Sequence, residues 1–167
     1  PVNYFSPTHC ARTKELFDEA IKFQKMGGFI DITTGGSKFA PLDEVVAYGL
    51  ERGLDPARLT LSSDGNGSVP KFDAAGALIG YGCASCKSNL EVLGALARNK
   101  ILNLEQTFAL MSANPAKCLH LAGKGEIAVG ADADFASFDE ELNLCDVIAK
   151  GEFCVKDEKV VKKGFFE

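Results

Sequence analysis

Leu59-Thr60-Leu61-Ser62-Ser63-Asp64-Gly65-Asn66-Gly67-Ser68 is the stretch whose reading decides how this chain is organised. Apolar and β-branched residues bounded by turn formers read as a strand through Thr60 and Leu61. Asp64 then falls where the strand ends and the chain turns. Gly65 and Gly67 allow a sharp turn or the close approach of a ligand to the backbone. Asp-Gly and Asn-Gly are also ordinary turn pairs, so this stretch alone leaves Asp64 either a turn cap or a functional carboxylate.

The flanking elements weigh on that choice. Upstream, Leu16, Phe17, Ala20 and Ile21 recur at helical spacing within 13–26, and Gly27-Gly28 stops the helix. Phe29-Ile30-Asp31-Ile32-Thr33 reads as a strand and 34–40 as a loop. Pro41 opens a second helix with the apolar stripe Leu42, Val45, Val46 and Leu50, ended by Gly53. Helix, strand, helix, strand with short connections predicts parallel strands joined by crossover helices. In barrels of that construction, functional side chains gather at the C-terminal strand ends. His9, just before the first helix, takes the same edge as Asp64. A histidine and an aspartate together suit zinc or a similar metal.

Downstream, 69–84 is long for a connection, with a hairpin turn predicted at Asp73-Ala74-Ala75-Gly76, in the manner of a binding loop or lid. Ser88 with Glu91 resembles a capping box opening a helix that runs to about Asn99 through Leu90, Leu93 and Leu96. Asn103 with Gln106 does the same for a helix through Met111. Asn114-Pro115 starts a short one ended near Gly123. The character then changes to strand-like runs at 125–127, 134–138, 142–149 and 152–156, with a turn at Lys150-Gly151 and a last strand at Val160 and Val161. The expected division is 1–122 as an α/β part and 123–167 as a small antiparallel β part.

The totals exclude some functions. The chain has 167 residues, 46% hydrophobic and 25% charged, with a net charge of −5. That is one domain's worth of ordinary globular material. The negative balance gives no support for nucleic acid or an anionic membrane as partner. No apolar run is long enough to span a bilayer. No charged n-region or apolar h-region opens the chain. The six cysteines are spread through a chain rich in aliphatic residues, which fits thiols in a reducing, cytoplasmic compartment.

At this point a resemblance carries the reading further. Pro7-Thr8-His9 with Arg12, Gly28-Phe29-Ile30-Asp31-Ile32-Thr33, and Leu61-Ser62-Ser63-Asp64-Gly65-Asn66-Gly67-Ser68 resemble the ends of barrel strands six, seven and eight in the isoaspartyl (β-aspartyl) dipeptidases of the amidohydrolase superfamily. Gly123-Lys124-Gly125-Glu126-Ile127 and Gly130-Ala131-Asp132-Ala133-Asp134 resemble the return from barrel to β-sandwich in that superfamily. The resemblance implies an α/β fold: the C-terminal part of a (β/α)8 TIM barrel plus a portion of a small antiparallel β-sandwich. It implies a two-zinc centre that hydrolyses β-aspartyl dipeptides by metal-activated water. His9 would be a zinc ligand. Asp64 would bind the metal and shuttle the proton, and Arg12 and Ser68 would hold substrate carboxylates.

Cys10 and Ala11 stand where the family pattern has an aliphatic residue and an asparagine. The family's histidine pair, its bridging carboxylated lysine or glutamate, and its other metal histidine would all precede Pro1. The chain is thus expected to be a fragment, with about three of the eight barrel strands, inactive alone. An open parallel sheet with apolar edges favours a homo-oligomer. The alternatives are an amidohydrolase acting on a different amide and a non-catalytic, partner-binding chain.

Three other features read as structural. Cys83-Ala84-Ser85-Cys86 is a lone C-x-x-C whose functional readings are half a zinc site or a thioredoxin-like redox pair, but no second pair follows at zinc-finger spacing and it is placed after a glycine-rich loop rather than directly after a strand. His120 reads as a packed or capping histidine. The Asp64–Ser68 loop lacks the glutamate that closes a calcium loop.

Overall fold

In the computed structural model, which describes residues 1–36 and 38–164, two short parallel strands sit under helices. Helix α1 (Lys14–Lys25) starts at Thr13, whose hydroxyl accepts from the Leu16 amide at 3.2 Å. It turns Phe17, Ala20, Ile21 and Gln24 inward, the i, i+3, i+4, i+7 stripe of a one-faced helix. Strand β1 (Ile30–Thr33) is buried at all four positions, as a parallel strand covered on both faces must be. Helix α2 (Leu42–Glu51) follows Pro41 and buries Leu42, Val45, Val46 and Gly49. Strand β2 (Leu59–Ser62) pairs parallel to β1, from Ile30 opposite Leu59 to Thr33 opposite Ser62.

On the other side of β1, the Asp31 amide donates to the Pro7 carbonyl at 2.9 Å, and the Cys10 amide donates to the Asp31 carbonyl at 3.2 Å. A regular parallel ladder brackets one residue between such a carbonyl and amide; here two, Thr8 and His9, are bracketed. His9 absorbs the extra residue with a φ of 57°. The outer edge of β2 is not open, contrary to the expectation of bare strand edges. The Leu61 amide donates to the Leu110 carbonyl at 3.1 Å, and the Asn114 side-chain amide donates to the Leu59 carbonyl at 2.7 Å.

Strands β3 (Ser68–Phe72) and β4 (Leu78–Cys83) form the expected hairpin. Its turn is held by the Asp73 carboxylate, which accepts from the amides of Ala75 and Ala77. Helix α3 (Ser88–Arg98) is not opened by a Ser88 capping box. Ser88 is already helical, and its hydroxyl lies 2.7 Å from the Thr34 hydroxyl after β1 instead of turning back to the helix amides. Helix α4 (Leu104–Ala109) does carry the Asn103–Gln106 box, both bonds present. Helix α5 (Ala113–Cys118) is shorter than expected. Leu96, Leu102 and Leu110 complete the core begun by Phe17, Ile30, Ile32, Val45 and Leu59.

The last segment is an antiparallel sheet of β5 (Phe135–Phe138), β6 (Leu144–Ala149), β7 (Glu152–Lys156) and β8 (Lys159–Val160) in sequence order. The expected strand at 125–127 is absent. Gly123 and Gly125 take φ of 70° and 72°, and a Cβ at Gly125 would stand 2.8 Å from the Ser112 carbonyl oxygen. The chain therefore turns tightly over the start of α5 instead of extending.

Candidate active site

The two parallel strands and the bulged segment at Pro7–Cys10 end on one edge, and that edge presents the polar side chains. Asp64 follows β2 by two residues with a φ of 52°. It and His9 are both non-glycine residues in the left-handed region, a conformation that costs free energy and recurs at functional sites. His9 Nε2 lies 3.9 Å from Asp64 Oδ2. The other ring nitrogen, Nδ1, is 2.8 Å from Thr33 Oγ1 at the end of β1. One nitrogen is thus fixed by a protein oxygen while the other faces a carboxylate, the way a metal-ligating imidazole is usually oriented.

His9, Arg12, Asp64 and Ser68 line a single cleft of about 510 Å³, together with Gly35, Gly36 and the hairpin residues Val69, Pro70 and Phe72. The Arg12 side chain is exposed and has no partner among the described residues. Gly67 is required for space: a Cβ there would stand 2.8 Å from the Asp64 carbonyl oxygen. Among the described residues no group of three or more His, Cys, Asp or Glu side chains is placed to hold a metal ion. His9 and Asp64 are two donors of the right chemistry for zinc, and they fit as part of a metal site.

Residues not singled out from the sequence support this edge. Asp31 is buried, 7% exposed. Its Oδ2 accepts from the hydroxyls of Thr8 at 2.7 Å and Ser62 at 2.6 Å, and its Oδ1 from the Thr60 hydroxyl at 2.8 Å. One carboxylate thus ties the His9 segment to β1 and β2. A lone acid in the otherwise apolar run Phe29-Ile30-Asp31-Ile32 was the available signal. Lys38 Nζ donates to the carbonyls of Thr34 and Gly36, closing the loop after β1. Burial pulls its ammonium below the usual lysine value. His120 does not join the site; its ring meets Tyr4 at 5.5 Å.

A parallel, crossover-linked sheet with histidine, arginine, aspartate and serine lining one cleft at its edge has the layout of an enzyme site at the strand ends of an α/β barrel. Residues 8–166 match the Amidohydrolase family, and the chain belongs to it. It is similar to the crystal structure of β-aspartyl dipeptidase from the thermophilic, keratin-degrading Fervidobacterium islandicum AW-1, in complex with the β-Asp-Leu dipeptide. The TM-score is 0.84 and the identity 34%, over 99% of this chain and 44% of that one. A second structure of that organism's enzyme gives 0.77 and 30%, over 99% and 41%. Locally, the chain is 46% identical over 57 residues to an allantoinase of Bacillus licheniformis, which is 32% of this chain and 12% of that one. The chain therefore spans less than half the length of these relatives.

Proposed function

We propose that this chain forms the substrate-facing strand edge of a zinc-dependent hydrolase of β-aspartyl (isoaspartyl) dipeptides. The observation that carries the reading is that His9, Arg12, Asp64 and Ser68 line one cleft. The similarity to an enzyme solved with β-Asp-Leu supports the substrate class. In this reading His9 and Asp64 hold zinc. When bound, the metal pair supplies a water acidic enough to react near neutral pH and polarises the scissile carbonyl. Asp64 would accept a proton from the attacking water and return it to the leaving amine. Arg12 clamps a substrate carboxylate with its planar fork, and Ser68 donates a hydrogen bond to it. Thr33 holds the His9 ring so that Nε2 faces inward. Residues 1–122 belong to the barrel and 123–167 to a small β-sandwich, and the 167-residue chain alone is inactive.

The test is a chimera in which this chain replaces the matching part of the F. islandicum enzyme. It should cleave β-Asp-Leu. Asp64→Asn should lower kcat by about 10²–10⁴-fold, and Arg12→Ala should act mainly on KM. A folded chimera that is active with Asp64→Asn ends the proposal, as does cleavage of β-Asp-Leu by the isolated chain for the claim of inactivity. Because of the local match to an allantoinase, allantoin is the control substrate. Turnover of allantoin without turnover of β-Asp-Leu would move the reading to a different amide.

A further inference from the structure

The structure places the C-x-x-C pair in a setting that its sequence context did not suggest. Strand β4 runs directly into Cys83, its last residue, and helix α3 opens at Ser88, two residues after Cys86. The motif is therefore a strand-to-helix connection, with both cysteines exposed and unpaired. The two sulfurs rest on consecutive residues of the loop that carries Asp64. Cys83 Sγ is 3.8 Å from both Asn66 Oδ1 and the Ala84 carbonyl, a weak S–H donor with two acceptors in reach. Cys86 Sγ lies against Gly65, where any side chain would collide with it. The backbone fastens the two segments: the Asn66 amide donates to the Ala84 carbonyl at 3.0 Å, and the Ala84 amide donates to the Gly67 carbonyl at 2.9 Å.

The other thiols are set apart from this pair. Cys10 is buried, and burial pushes its thiol up to about 11. Burial also raises Cys145, and Cys118 and Cys154 are only partly exposed.

We propose that Cys83 and Cys86 form a dithiol site that exchanges with low-molecular-weight disulfides, packed against the Asp64 loop. One thiolate attacks a sulfur of the small disulfide, forming a mixed disulfide and releasing one small thiolate. The second cysteine thiolate attacks the protein sulfur of that mixed disulfide. The Cys83–Cys86 bond forms and the second small thiolate leaves. The two protein thiols lose two electrons and two protons, and the small disulfide becomes two thiols. Oxidation removes the only S–H that faces Asn66 Oδ1 among the described residues, and it draws Cys86 Sγ toward Cys83 and off Gly65. The Asp64 loop is thereby loosened. This inference stands whether or not the cleft holds zinc.

The experiment treats the complete 167-residue chain with glutathione disulfide and maps the peptides by mass. The expected product is lighter by two hydrogens, carries no glutathione, and links Cys83 to Cys86. Cys83→Ser and Cys86→Ser should each retain one glutathione, because the resolving thiol is gone. Amide hydrogen exchange at Asn66 in the oxidised chain should rise by roughly two- to tenfold, the range one net hydrogen bond spans. A stable glutathione adduct on the unsubstituted chain, a link to any other cysteine, or no reaction overturns the dithiol site. A Cys83–Cys86 link with unchanged exchange at Asn66 overturns its connection to the loop.

Discussion

Phe17 and Phe153 are both aromatic residues in regular elements, yet Phe17 is 0% exposed and Phe153 is 42% exposed. The difference runs through their surroundings. All four residues of β1 are buried, whereas among the described residues no residue of β5–β8 is. The first unit is held by apolar packing: Phe17 meets Phe39 at 6.0 Å and Tyr48 at 6.3 Å between α1, α2 and the strands. The second is held by its ladder and by carboxylates that fasten its turns. Asp146 accepts from the Ser137 hydroxyl at 2.9 Å and the Asp157 amide at 3.0 Å. Asp139 binds Asn143, Asp134 binds Lys124 and the Lys150 amide, and Glu152 binds Lys162. The two units should therefore fail under different stresses.

The largest expected contrast is a truncation pair. Phe17→Ala should cost about 3–5 kcal/mol in urea unfolding, by lost burial plus the cavity left behind. Phe153→Ala should cost less than about 1 kcal/mol, in the range of exposed substitutions. Equal losses would break the comparison.

Next in size is Asp31, which sharpens it, since here the packed unit depends on a carboxylate. Asp31→Ala leaves three hydroxyl donors without their acceptor in a buried place and should cost about 2–3 kcal/mol. Asp31→Asn keeps the shape and one acceptor oxygen, so it should recover most of that loss. Equal unfolding midpoints for the Ala variant and the parent chain would show that Asp31 is not the tie between the strands.

The smallest effect is acid sensitivity of the sheet. The Lys124 ammonium holds Asp134 below its usual value of 3.8. The Asn143 side-chain amide does so for Asp139, and the Asp157 backbone amide for Asp146. A carboxylate whose folded value is depressed adds stability that is present above its unfolded value and is lost as pH falls through the folded one. Amide resonances of β5–β8 should therefore shift and broaden before those of β1 and β2 as pH falls from about 5 to about 2. Simultaneous loss of both sets would show that the units unfold as one.

The elements legible in the sequence were those with a local signal. Helical spacing of Leu16, Phe17, Ala20 and Ile21 predicted α1, and Asn103 with Gln106 predicted the start of α4. The four residues placed on the site by family resemblance line one cleft. The misreadings share a cause: long-range partners decided the local structure. Ser88 and Glu91 match a capping pattern, but the Ser88 hydroxyl is engaged by the Ser85 carbonyl and by Thr34, far away in sequence. Gly125-Glu126-Ile127 has strand composition, but Ser112 and Ala113 leave it room only for a turn. Asp31 as the tie between strands was invisible because its three hydroxyl donors come from two other segments.

The covered edge of β2 bears on how this sheet can grow. The outward amide of Leu61 and carbonyl of Leu59 are already engaged by Leu110 and Asn114. A further strand, from any source, cannot simply add to vacant hydrogen-bonding groups there. It must compete, releasing the end of α4 and the first turn of α5 as it zips in. Extension of the sheet on that side is a substitution reaction, with a leaving group supplied by the chain itself.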